Sequence, residues 1–339
     1  MHRLSLSNIK VRNPNGLTLT RLLKRIWSTR IYWLLVGLGI SLRILTVGAD
    51  DAQSPLNSQS VIRVSTNMVT VPVSVADAAG HAVGDLKIED FRVQEDGQSE
   101  TIERMAQAGE SPLQMALLFD LSGSLNSRFE FEQHAAISFL EKVWKPGDAV
   151  NIIAFNEMAQ VRLKNSTSLP DALKALLALQ PSESSTAFYD SVITAAQTLR
   201  HCAAPETRQS LIVLSDGEDN RSDSIAMEAL NEVLKSDAIF YSINPSGPSI
   251  RLNEFSLKGQ EVMASLAAET GGTAFVSDAG SDLDKIFGRI ATELRAQYLL
   301  GYDSSNSHWD GKFRHISVSI PGRPDLHVRA RQGYFAIPK

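Results

Sequence analysis

Hydrophobic and polar positions change their period twice along the chain. Between residues 61 and 108 the period is two: Val69, Val71, Val73 and Val75 alternate with Thr70, Pro72 and Ser74, which predicts a half-buried strand. Pro72 has no N–H for a ladder, so an edge position or a bulge is expected there. Phe91 to Glu95 predicts a second strand, Asp96-Gly97 a hairpin turn, and Thr101 to Met105 the returning strand. From Pro112 to Ala296 short apolar runs alternate with segments of helical spacing. Strands are expected at 114–120, 148–155, 159–164, 209–216, 238–243 and 272–276. Helices fit 128–144, 168–179, 187–201, 224–236, 259–270 and 282–296. The first of these helices is expected to bury Phe131, Ala135, Phe139 and Val143. The run Ser210 to Ser215 is apolar through its centre, as when helices cover both faces of a strand. The alternation predicts an α/β fold: a doubly wound, mostly parallel six-stranded sheet flanked by helices.

Beyond residue 296 the period returns to two, with strands at 297–302, 314–320 and 326–330 and a turn at Pro321-Gly322. The leading β segment is too short to hold a core alone. Residues 61–108 and 297–336 are therefore expected to form one small β-sandwich-like domain from both chain ends, with 112–296 inserted. The last helix runs with little slack into strand 297–302, an arrangement suited to passing a change at one layer to the other.

The first 49 residues differ in kind. They hold eight bases and no acid, an uncharged run from Ile31 to Leu42, and the small residues Val47-Gly48-Ala49. That order predicts an export signal at 1–49, cut after Ala49 or Ala52, with a polar linker at 50–60. The apolar run is shorter than the roughly 20 residues of a comfortable span, so a cleaved signal is expected over a permanent anchor. An uncleaved anchor is the alternative, and the only route to a membrane. Losing eight bases and no acids takes the net charge from −5 to −13, which disfavours nucleic acid and anionic surfaces as partners. The single cysteine, Cys202, has no internal disulfide partner and is expected as a small buried apolar group.

Candidate chemistry centres on Leu117 to Ser124. A buried strand ends in Asp120, and Ser122 and Ser124 follow with Gly123 between them. Taken alone, these residues fit a strand-to-helix turn with a capping side chain. Two more segments change that reading: Thr186 in a loop entering a helix, and Asp216 at the end of another strand. In a doubly wound sheet the strands carrying Asp120 and Asp216 would be neighbours at the switch point, where a crevice opens. Oxygen-only donors favour Mg²⁺, Ca²⁺ or Mn²⁺ over zinc or copper. Glu218, Asp219 and Asp223 beside the crevice are expected as a solvated acidic loop.

In these motifs the chain resembles the von Willebrand factor A domains with a metal-ion-dependent adhesion site. Their Asp-x-Ser-x-Ser, distant Thr and distant Asp fall on Asp120, Ser122, Ser124, Thr186 and Asp216. The flanking stretches Leu86 to Gly97, Glu269 to Gly272, Gln297 to Tyr302 and Gly333-Tyr334 resemble secreted, acidobacterial-type proteins with a related domain. The resemblance implies hydroxyls bound directly to Mg²⁺, aspartates holding it largely through waters, and an acidic side chain of a protein partner completing the shell. It implies a secreted or surface-exposed binding module, not an enzyme. The chain departs from the family at Glu183-Ser184-Ser185, where glycines are usual. Scattered histidines and the lack of a nucleophile elbow or phosphate loop also speak against catalysis. Metal-assisted phosphoester hydrolysis and a scaffold with a purely structural metal remain as alternatives.

Overall fold

The computed structural model describes residues 68–107, 109, 111–122, 129–204, 207–246, 254–277 and 282–337. The proposed signal and linker at 1–60, and Ser124, lie outside them. All described elements fall within one compact unit, Arg63–Lys339.

The α/β layer runs β5 (Leu113–Asp120), α1 (Phe129–Val143), β6 (Ala149–Phe155), β7 (Ala159–Ser166), α2 (Leu169–Leu177), α3 (Phe188–Cys202), β8 (Arg208–Leu214), α4 (Ala226–Lys235), β9 (Ile239–Asn244), α5 (Glu254–Thr270), β10 (Thr273–Val276) and α6 (Leu283–Ala296). Its six strands lie in the order β10-β9-β8-β5-β6-β7, with only β7 antiparallel to its neighbour. Every residue of β5 is buried, because alternate side chains enter two different cores. Met115, Leu117 and Phe119 pack with α1, α2 and α6, whereas Ala116 and Leu118 pack with α3, α4 and α5. This is the doubly wound sheet expected from the apolar runs.

Among the described residues two four-stranded antiparallel sheets accompany this layer. One has the order β13-β1-β11-β4, the other β14-β12-β2-β3. Their strands are β1 (Met68–Ala76), β2 (Arg92–Glu95), β3 (Gln98–Glu100), β4 (Ile102–Gln107), β11 (Tyr298–Asp303), β12 (Phe313–Ser319), β13 (His327–Ala330) and β14 (Gly333–Phe335). Both sheets mix strands from the two chain ends and enclose one core, including Val71, Phe91, Tyr298, Leu300 and Tyr302. Beside that core Glu95 is buried and accepts hydrogen bonds from Tyr302 Oη (2.8 Å), Ser304 Oγ (2.7 Å), Arg314 Nη1 (3.0 Å) and Tyr334 Oη (3.0 Å).

Three expectations are corrected here. β1 is not an edge strand: it lies between β13 and β11. Pro72 is tolerated because the β13 ladder begins only at Val73. On the polar face of β1 Thr70 is exposed as expected, but Ser74 is buried and donates to Glu293 of α6. The Asp96-Gly97 turn has positive φ at both residues (48° and 81°), as a primed hairpin turn requires. Its returning strand, however, is the short β3, while β4 crosses to the other sheet and pairs with β11. Phe131 is 68% exposed, and α1 instead buries Phe129, Glu132 and Gln133 alongside Ala135, Phe139 and Val143.

The β layer packs on the N-terminal edge of the parallel strands. Arg331 pairs with Asp237, just before β9, and Gln332 N–H donates to Glu269 O, just before β10. Glu293 of α6 is the hub: it accepts from Ser74 Oγ (3.0 Å) and Tyr241 Oη (2.7 Å) and pairs with Arg329. Arg208, at the start of β8, donates to Leu294 O (2.6 Å) and Gln297 Oε1 (3.2 Å). Among the described residues no helix is long and apolar enough to cross a membrane.

Candidate metal centre

β5 and β8 are hydrogen-bonded neighbours, and their connections leave for opposite faces. α1 packs in one core and α4 in the other, so a crevice opens between the strand ends. The structure brings Asp120, Ser122, Thr186 and Asp216 to this end, all of them buried. Ser124, the fifth expected ligand, is outside the described residues.

Asp120 is fully buried as the last residue of β5. Its Oδ1 accepts the Ser122 N–H at 2.9 Å and its Oδ2 accepts the Ser215 hydroxyl at 2.7 Å. No described lysine or arginine forms an ion pair with it. Burial pushes its carboxyl up to about 6, partly offset by the bonds from Ser122 and Ser215, and the nearby Asp216 charge pushes it the same way. Asp216 is held in turn by the Glu218 N–H, which donates to its Oδ1 at 3.1 Å.

Thr186 is tied to the Asp216 loop by a two-way clamp. Its N–H donates to Asn220 Oδ1 (2.9 Å), and the Asn220 N–H donates to Thr186 O (3.1 Å). The clamp uses only the threonine backbone. The residues before it are anchored just past the end of β5: the Ser182 N–H and hydroxyl both donate to Leu121 O, at 2.7 and 3.1 Å. Ser182 and Ser184 hydroxyls bond to each other at 3.0 Å, and Glu183 is exposed.

The acidic loop does more than face water. Asp219 and Ser222 cap α3 from outside its own sequence, accepting the Tyr189 N–H (3.0 Å) and the Asp190 N–H (3.1 Å). A carboxylate at a helix N-terminus meets unpaired N–H groups and the positive end of the dipole. Glu218 accepts the Ser256 hydroxyl. Of the three acids expected to be solvated, only Asp223 is exposed. Cys202 is half-buried at the end of α3.

Sequence reasoning missed Ser215, Asn220 and Asp219. Ser215 stands beside a recognised ligand, and its place at a strand end could have flagged it. Asn220 and Asp219 act across 34 and 30 residues of chain, which no local pattern reveals.

Two carboxylates and neutral hydroxyls around one crevice fit a hard divalent cation. A buried Asp120 charge with a second carboxylate near it is the environment that a cation relieves. Among the described residues no three His, Cys, Asp or Glu side chains gather into a metal cluster, so an ion here would depend on hydroxyl ligands. The rings of His134 and His201 make local bonds instead, to Glu130 O and Gln197 O.

No curated protein matches the chain. Among solved structures, the conserved hypothetical protein BatB from Bacteroides thetaiotaomicron is 16% identical, covering 53% of this chain and 98% of its own, with a TM-score of 0.42. Proximal thread matrix protein 1 from the mussel byssus, with a zinc-occupied MIDAS motif, is 18% identical over 58% of this chain and 48% of its own, with a TM-score of 0.44. The pilus adhesin SpaC from Lactobacillus rhamnosus GG, in an open conformation, is 12% identical over 60% of this chain and 34% of its own, with a TM-score of 0.46. Residues 115–218, from β5 to the acidic loop and so including all five candidate ligands, match the family described as von Willebrand factor type A domain, whose Rossmann-like layout the six-stranded sheet shares.

Proposed function

We propose that the chain is an exported, divalent-metal-dependent binding module of the von Willebrand A type. Asp120, Ser122, Ser124, Thr186 and Asp216 hold Mg²⁺, and an acidic side chain of a protein partner completes the coordination. The observation that carries this reading is the meeting of buried Asp120 with Asp216, Ser122 and Thr186 at the switch point. With neutral hydroxyls in its inner shell, the ion keeps positive charge toward the open position. It thereby gives an acidic protein a means of binding an acidic group. Residues 112–296 are the binding domain, 61–108 with 297–336 its support, and 1–49 the export signal or anchor.

The test is a pull-down from the outer compartment with purified protein, comparing Mg²⁺ with EDTA and wild type with Asp120→Ala. Capture in Mg²⁺ alone, lost in the variant, is the expected result. Capture indifferent to both would sink the proposal. Mg²⁺-dependent phosphatase turnover that Asp120→Ala abolishes would replace it with a hydrolase.

A further inference from the structure

We propose that Gly259, on α5, is a positioning residue for both aspartates of the candidate metal site; the inference rests on the metal reading above. Glycine is a poor residue for a helix interior, yet Gly259 is the sixth residue of α5 and is buried. The reason is contact with the metal loop. A Cβ at 259 would stand 2.6 Å from the carbonyl carbon and oxygen of Gly217 and 2.9 Å from Glu218 N. The approach is reciprocal: a Cβ at Gly217, which has a φ of 78°, would stand 2.7 Å from Gly259 O. Two backbones touch here with no side chain between them.

The turn that α5 abuts, Asp216 to Glu218, holds both carboxylates through two successive peptides. The Glu218 N–H donates to Asp216 Oδ1 at 3.1 Å. The Gly217 N–H donates to Ser215 Oγ at 3.0 Å, and that hydroxyl donates to Asp120 Oδ2 at 2.7 Å. A second link reinforces the first, since the Ser256 hydroxyl in the opening turn of α5 donates to the Glu218 carboxylate. A methyl group at 259 cannot be absorbed by a flexible side chain, because the atoms it meets are backbone. The turn must move, and it takes Asp216 directly and Asp120 through Ser215. The docked position of α5 thus sets the spacing of the two carboxylates, and with it the affinity for the ion.

The experiment titrates Mn²⁺ into wild type, Gly259→Ala, Ser256→Ala and Gly288→Ala, reading free ion by EPR and folding by far-UV circular dichroism. Gly288 is the control: it lies in α6, and a Cβ there meets nothing within 4 Å. Gly259→Ala is expected to bind at least about tenfold more weakly, with Gly288→Ala equal to wild type. Ser256→Ala, which removes the bond to Glu218 and adds no atoms, is expected to lose roughly threefold. In EDTA, amide exchange at Glu218 should quicken in Gly259→Ala and not in Gly288→Ala. A folded Gly259→Ala that binds within about twofold of wild type overturns the proposal and leaves the metal reading intact. If Gly259→Ala does not fold, Ser256→Ala decides, and wild-type affinity in that variant overturns it. A wild type that binds no Mn²⁺ overturns the metal reading and this inference together.

Discussion

Replacing Asp120 by asparagine should stabilise the metal-free protein while abolishing its response to Mg²⁺. Folding raises the Asp120 carboxyl from 3.8 to about 6, so the folded state prefers the neutral acid. Below pH 3.8 the group is protonated in both states and carries no penalty. As pH rises toward 6 the unfolded chain ionises first and stability falls; above 6 the loss is constant. At about 1.36 kcal/mol per unit, the full penalty is about 3 kcal/mol. Asparagine removes it but disturbs the Ser215 hydroxyl, which now donates to the carboxylate, at a cost of about 1 kcal/mol. A net gain of about 2 kcal/mol is expected at pH 7.5 in EDTA, measured by urea denaturation, and the gain should vanish near pH 3.5. Saturating Mg²⁺ reverses the order, because binding at a hundred times Kd adds about 2.7 kcal/mol to wild type alone. An asparagine variant less stable than wild type at pH 7.5 in EDTA would refute the reasoning, as would a gain that persists at pH 3.5.

Other substitutions probe the support of the site. Glu95→Ala strips the acceptor from Tyr302, Ser304, Arg314 and Tyr334 and leaves a buried guanidinium; a loss of about 3–5 kcal/mol is expected in chemical denaturation. Asn220→Ala opens the clamp on Thr186 and should weaken Mn²⁺ binding without abolishing it, with about 1–2 kcal/mol of stability lost by thermal melt. Phe131→Ser, at an exposed position, should shift stability by no more than about 0.5 kcal/mol; a larger loss would mean that the side chain is packed after all.

Much of the α/β layer was legible in the chain because burial on both faces writes continuous apolar runs, as in β5 and β8. Helical spacing placed all six helices of that layer to within a few residues, α5 least well: its start was expected at Gly259, whereas the helix begins at Glu254 and runs through that glycine. The sandwich was legible as strands but not as pairings. Nothing local distinguishes β3 from β4, whose partners lie in different sheets. β1 misled through Pro72, since a central strand can hold proline where one neighbouring ladder has not yet begun. Phe131 misled because helical spacing admits two overlapping faces, and packing chose the one through Phe129 and Gln133. At the site, the ligand types were written in short motifs. Their supports at Ser215, Asp219 and Asn220 depend on loops that meet only in the folded molecule.

The β layer and the candidate metal site lie at opposite ends of the same parallel strands. A tether acting through the sandwich and a partner gripped at Asp120 would therefore pull β5 along its own axis. Hydrogen bonds to β6 on one side and β8 on the other run the length of that strand. Under such a load they are sheared together and cannot be opened one at a time from a free edge. Such a pull would pass through the most laterally supported strand of the sheet.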